Sequence, residues 1–139
     1  MGFQPQALVL ADVNGDGRPD LVVVSAHAIG VRLCGPQGFG PATRYPGLSE
    51  KAITAVLVDV NGDGHPDLLT NHYNYQQGSQ GRVQVRLGRP EGGWNPSTTY
   101  SAGTHSAERF AVADLNGDSR PDLVTLNRNT STVSVLLAH

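Results

Sequence analysis

Three short segments place oxygen-bearing side chains at alternate positions: Asp12-Val-Asn-Gly-Asp-Gly-Arg-Pro-Asp20, Asp59-Val-Asn-Gly-Asp-Gly-His-Pro-Asp67 and Asp114-Leu-Asn-Gly-Asp-Ser-Arg-Pro-Asp122. Oxygens at loop positions 1, 3, 5 and 9, with a backbone carbonyl at 7, are how a chain encircles a hard cation. In the first loop these are Asp12, Asn14, Asp16, the Arg18 carbonyl and Asp20, the last bound directly or through water. The second offers Asp59, Asn61, Asp63, the His65 carbonyl and Asp67; the third offers Asp114, Asn116, Asp118, the Arg120 carbonyl and Asp122. Three carboxylates this close repel one another unless a cation sits among them. The all-oxygen set favours Ca2+, because magnesium demands stricter octahedral geometry and keeps several waters. Gly17 and Gly64 allow the left-handed backbone that curls the loop, whereas Ser119 at the same point of the third loop carries a Cβ that disfavours it. Asn-Gly is also a strong turn former, but a bare turn has no need of carboxylates at positions 1, 5 and 9 in every copy.

The elements that must hold these loops are strands. Each loop follows an apolar run and leads into another, and its first aspartate recurs after 47 and then 55 residues. That interval is the size of a four-stranded propeller blade rather than of one hairpin. In the second unit the strands read as 53–58, 67–70, 83–87 and a fourth from Gly93-Trp94 to Tyr100. The first unit reads as 7–11, 21–24, 31–33 and Gly38-Phe39 to Tyr45; the third reads as 110–113, 123–126 and 133–137, with its fourth strand missing. Runs that are apolar throughout imply strands covered on both faces, as when blades stack. No window has a helical period with caps. The expected fold is therefore all-β: three four-stranded antiparallel propeller blades, the last incomplete, at about 4–46, 51–101 and 107–139, in a single propeller fragment spanning 1–139. Propellers close with about four to eight blades, so a three-blade arc leaves an apolar face at each end. Either the chain is a piece of a longer protein or copies assemble as a homo-oligomer, in which case two copies head to tail give six blades.

Composition narrows the function classes. Nine of the 12 acidic residues lie in the three loops, and the formal net charge is only −2. Such a charge steers neither nucleic acid nor a membrane surface, and the basic residues are scattered without interleaved aromatics. Cys34 is the sole cysteine, which excludes an intramolecular disulfide and a cysteine zinc site; in its apolar run it reads as a small buried side chain. No secretory signal reads at the start, and no segment approaches a membrane span. The five histidines are dispersed, no Gly-x-Ser-x-Gly elbow is present and no phosphate-cradling glycine loop occurs, so no enzyme is expected.

The loops are not EF-hands, because position 12 is Val23, Thr70 or Thr125 instead of glutamate and the flanks are strands. The Asp-x-Asn-Gly-Asp-x-x-Pro-Asp loops, together with the Gly-Phe and Gly-Trp blade openings, resemble the FG-GAP or VCBS repeat, the calcium-loop blade of integrin-α-like β-propellers. The resemblance covers nearly the whole chain. It implies calcium in the loop joining the first two strands of each blade, on the residues named above. It also implies a recognition or scaffold module acting outside the cell, with protein or glycan partners. Some propellers with similar repeats are lectins, and that is the alternative function; a fragment, natural or engineered, with no ligand of its own is another. Metal bound by protein oxygens on all sides is structural, and its binding energy becomes folding energy.

One further stretch has binding chemistry. Residues 71–81 read as a long loop between strands two and three, with Asn71, His72, Tyr73 and Tyr75 offering aromatic faces beside hydrogen-bonding groups. That mixture suits a sugar or a protein. A polar surface insertion whose tyrosines cover the blade edge explains it more simply. Trp94, at the position of Phe39 in the previous unit, reads as packing.

Overall fold

An apolar run, an acidic loop and a second apolar run make an antiparallel pair in every repeat. The computed structural model describes residues 4–47, 51–73, 81–101, 107–127 and 130–138, and the regular elements among them are strands. In the first unit β1 (Pro5–Ala11) pairs with β2 (Asp20–Ser25), β2 with β3 (Ala28–Arg32), and β3 with the fourth strand. A two-residue pair, β4 (Cys34–Gly35) with β5 (Gly38–Phe39), precedes that fourth strand, β6 (Thr43–Pro46). The second unit is β7 (Lys51–Val58), β8 (Asp67–Tyr73), β9 (Arg82–Arg86) and β10 (Thr98–Ser101), hydrogen-bonded in chain order. The third is a three-stranded sheet of β11 (Ala107–Ala113), β12 (Asp122–Asn127) and β13 (Thr132–Leu136).

The four-stranded reading holds for two units, and three strands are described in the third. The fourth strand is shorter than the sequence suggests. Its Gly-Phe or Gly-Trp opening pairs back on the end of strand three, as Cys34 with Phe39 and Gly88 with Trp94, before the chain enters the strand itself. Cys34 is half-buried rather than buried, because this short pair lies at the sheet's end.

Each first strand carries a register shift at the same repeat position: between Pro5 and Ala7, Ala52 and Thr54, and Ala107 and Arg109. An extra residue there increases local twist. First strands of successive units lie side by side, β1 with β7 and β7 with β11. Alternation then sends one set of side chains toward the preceding unit and the other toward the following one.

The main core fills the joint between the first two units. Val22, Val24, Ile29 and Val31 of the first meet Ala52, Leu68 and Trp94 of the second, with Ala55 and Leu57 packed alongside. Trp94 is 1% exposed, its ring edge-on to Tyr45 at 5.5 Å and 67°, and its Nε1 donates to the Pro66 carbonyl at 3.1 Å. Gly93 must precede it, with φ 83°, because a Cβ there would collide with the Tyr45 hydroxyl. Trp94 is thus a packing residue. No helix among the described residues is long and apolar enough to cross a membrane.

The burial of Trp94 sets the strength of this joint. Trp94→Ala is expected to destabilise the protein by about 3–5 kcal/mol, the range for emptying a large aromatic site. Urea unfolding of both proteins measures it, and a loss below about 1 kcal/mol contradicts the packing role.

Candidate metal centre

The aspartate that opens each loop gathers backbone donors. Asp12 Oδ1 accepts from Gly15 N at 2.7 Å and Asp16 N at 3.1 Å, and its Oδ2 accepts from Gly17 N at 2.8 Å. Asp59 repeats this with Gly62, Asp63 and Gly64, and Asp114 accepts from Gly117 and Ser119. The third-position Asn14 accepts from Asp16 N and donates its Nδ2 to Asp16 Oδ2; Asn61 with Asp63 and Asn116 with Asp118 do the same. The fifth-position aspartates accept in turn from the seventh residue's N–H, belonging to Arg18, His65 and Arg120. Residues 1 to 7 of every loop therefore form one curled, oxygen-rich turn.

Sheet geometry fixes the ninth position differently. Asp20 is the first residue of β2 and fully buried, with Oδ2 accepting from Val13 N at 2.8 Å and Oδ1 from Cys34 N at 2.7 Å. Asp67 bridges Val60 N and Gly88 N, and Asp122 bridges Leu115 N and Ala138 N. Each carboxylate ties the start of its loop to the chain just beyond strand three. Sequence spacing marked these residues as ring closers. It gave no sign of this second duty, whose partners lie 14 to 21 residues away.

The electrostatics follow the placement. The Gly17 N–H, helped by those of Gly15 and Asp16, holds the Asp12 carboxyl below the ordinary carboxylate value. The His65 N–H and then the Asn61 amide do so for Asp63. Burial pushes Asp67 upward, against the opposing pull of the Gly88 and Val60 N–H groups, and the charges of Asp63 and Asp59 add to the rise.

Among the described residues, no three His, Cys, Asp or Glu side chains converge in a group that would hold a metal ion. The donor chemistry nevertheless fits a hard cation at positions 1, 3, 5 and 7, where carboxylate, amide and carbonyl oxygens share one turn. All nine loop carboxylates accept backbone hydrogen bonds, so the turn holds its shape through its own polar groups.

The other singled-out stretch is placed differently from its expectation. Asn71, His72 and Tyr73 belong to β8 and not to a loop. Asn71 and His72 are buried. Asn71 Oδ1 accepts from Thr54 N at 2.7 Å, the N–H next to the register shift in β7, and His72 Nε2 lies 2.9 Å from Thr70 Oγ1. Both are interior polar residues and not a presented binding surface. Tyr75 lies outside the described residues, as does most of the expected loop.

Sheet pattern, loop geometry and spacing together define a β-rich repeat protein. The FG-GAP-like repeat profile matches residues 12–70 and 59–125, and the chain belongs to that family. Such repeats are propeller blades, so the three units are blades. Among solved structures, a chain of the Photorhabdus luminescens Tc holotoxin pore is similar in fold, with a TM-score of 0.64 and 24% identity. The similarity covers 97% of this chain and 6% of that one, so the chain spans a small part of that protein's length. No curated protein matches the sequence.

Two substitutions separate the roles within a loop. Asp67→Ala leaves two backbone N–H groups without their acceptor and is expected to destabilise the protein by about 2–5 kcal/mol, with or without calcium. Denaturant unfolding in chelator tests this, since a purely metal-binding residue shows no loss there. Ser119 holds φ 65° where the other loops place glycine. Ser119→Gly is expected to raise stability by about 1 kcal/mol, the cost of a Cβ in the left-handed region. A lowered melting temperature contradicts it.

Proposed function

We propose that this chain is a calcium-stabilised β-propeller module for recognition and scaffolding, with structural metal and a ring completed by self-assembly. One observation carries the reading: three loops at equivalent points of three blades share the same oxygen-lined turn, down to matching hydrogen bonds. Asp12, Asn14, Asp16 and the Arg18 carbonyl would hold the first ion, with Asp20 anchoring the loop and closing the set directly or through water. The second ion would fall to Asp59, Asn61, Asp63, the His65 carbonyl and Asp67. The third would fall to Asp114, Asn116, Asp118, the Arg120 carbonyl and Asp122. Calcium is often found in repeats of this family. Bound there, it neutralises carboxylates that otherwise repel and locks the hinge between the first two strands of each blade.

The chain's own residues supply shape rather than chemistry. Nothing in the loops activates a nucleophile, and the carboxylates act as acceptors and ligands. Partners of a protein or glycan kind, met outside the cell where calcium is abundant, suit such a rigid module. The burial of Asn71 and His72 removes two of the four residues that a sugar surface near 71–81 would use, which favours the scaffold reading over the lectin one.

Calorimetric titration with calcium, paired with thermal unfolding in calcium and in chelator, tests the metal role. Sites of about 10⁻⁴–10⁻³ M are expected, the class of extracellular modules. At calcium tenfold above Kd each site stabilises by about 1.4 kcal/mol, so the melting temperature rises by several degrees. Asp16→Asn, Asp63→Asn and Asp118→Asn combined are expected to abolish both effects and leave the melt in chelator nearly unchanged. Identical melts in calcium and chelator, with no heat of binding, would overturn the reading.

A further inference from the structure

We infer that Gly92, on the second blade, is a positioning residue for the calcium site of the first: it seats Asn14, the third-position donor, from across the joint. This rests on the calcium reading above and gives the first loop a part supplied by its neighbour.

The turn that carries Gly92 is longer than its counterpart. In the first blade residues 35–38 separate the paired Cys34 and Phe39; in the second, residues 89–93 separate the paired Gly88 and Trp94. The added residue makes a Gly92-Gly93 pair, with φ 89° and 83°. Two positive φ values in succession curl the chain tightly, and glycine takes them without a steric cost. The curl is bonded internally, Gly92 N donating to the Arg89 carbonyl at 3.0 Å and Arg89 N to the Gly93 carbonyl at 3.1 Å. Arg89 Nε donates to Asn95 Oδ1 at 2.9 Å and ties the turn to the chain beyond it.

Its tip lies on the first loop. A Cβ built on Gly92 stands 3.0 Å from Asn14 Cβ, 3.6 Å from Asn14 Cα and 3.7 Å from Leu33 Cδ1, all three atoms belonging to the first blade. Asn14 is half-buried, whereas residues 15–19 beside it are exposed. The turn therefore walls one side of a residue whose amide both accepts from Asp16 N and donates to Asp16 Oδ2. A larger residue at position 92 must push one of the two aside. The turn is fixed from behind: Trp94 is buried, its Nε1 donates to the Pro66 carbonyl, its backbone N donates to the Tyr45 hydroxyl at 3.3 Å, and Gly93 abuts that same hydroxyl. The first loop has only its own curl to hold it. Added bulk at position 92 thus displaces Asn14 and, through their paired hydrogen bonds, disturbs Asp16. The second loop has no atom among those closest to Gly92.

Gly92→Ala and Gly92→Asn test it, read by calorimetric titration with calcium in two backgrounds. Asp63→Asn with Asp118→Asn leaves the first loop to report alone, and Asp16→Asn with Asp118→Asn leaves the second. Asparagine tolerates positive φ, so Gly92→Asn adds bulk with less backbone strain and decides the question if Gly92→Ala does not fold. Gly38, in the first blade's turn, has φ 102° and nothing within 4 Å of a built Cβ, so Gly38→Ala supplies strain without the contact. Thermal unfolding in chelator records what each variant loses in stability. Either Gly92 variant is expected to weaken calcium at the first loop about tenfold, the lower end for disturbing a group that orients a ligand, and to leave the second loop unchanged. Gly38→Ala is expected to leave both loops unchanged. A first loop that binds as before in the Gly92 variants overturns the inference and leaves the calcium reading standing. Equal weakening of both loops also overturns it, since general destabilisation then explains the loss. With Gly92 intact, the absence of both binding heat and a calcium-dependent melt in the first-loop background overturns the calcium reading at that loop and this inference with it.

Discussion

Each blade is held in register by one buried carboxylate. Asp20, Asp67 and Asp122 stand at the first residue of strand two, and each spans two backbone N–H groups that the ladders leave over. One N–H belongs to the loop's second residue and the other to the chain just after strand three. A carboxylate is the side chain best suited to this, since it accepts from both directions at once and charged hydrogen bonds are the stronger ones. Burial of the charge opposes it, and at Asp67 that opposition prevails enough to raise the carboxyl's pKa.

The remainder of each loop follows from that anchor. With both ends of the loop fixed, the intervening residues must turn within a short span, and the first, third and fifth side chains satisfy the exposed N–H groups of the curl. The glycines at the sixth position take positive φ, and Ser119 takes it too, so the geometry prevails over residue preference in the third loop. The curl is thus held by its own polar groups, with the first, third and fifth side chains bonded to backbone donors.

Much of this was legible in the sequence, for a physical reason. A repeated acidic loop between apolar runs leaves few ways to arrange the backbone, so the strand pairs beside each loop read correctly. What escaped was polar burial. Asn71 and His72 look like loop residues because they are polar, yet β8 continues through them. The register shift in β7 leaves the Thr54 N–H needing an acceptor, and the Asn71 side chain provides it. The second duty of the ninth aspartates escaped similarly, since their strand-three partners are distant in sequence. Phe39 and Trp94 are equivalent by position and opposite in exposure, because burial depends on whether a neighbouring blade lies against that face. Sequence periodicity records the face but not its neighbour.

The joints between blades are asymmetric, and the asymmetry has a direction. The face each blade turns to the following one is largely aliphatic in the first blade, with Val22, Val24, Ile29 and Val31. The face turned to the preceding blade mixes apolar residues with polar ones: Thr70, His72, Gln84 and Arg86 in the second blade, Thr125 and Asn127 in the third. The polar groups are partly satisfied across the joint. The Arg86 guanidinium donates to the Pro46 carbonyl and lies 5.9 Å from the centre of the Tyr45 ring. Burial holds its pKa down, although the Tyr45 charge opposes this. Arg32 takes the Arg86 position in the first blade, where it is exposed and reaches the Gly40 carbonyl in the connection between β5 and β6 of its own blade. Two aliphatic faces placed together would bury apolar area but leave such arginines without an acceptor, and two mixed faces would oppose charge to charge. Stacking in one direction matches the mixed face of the second blade with the aliphatic face of the first.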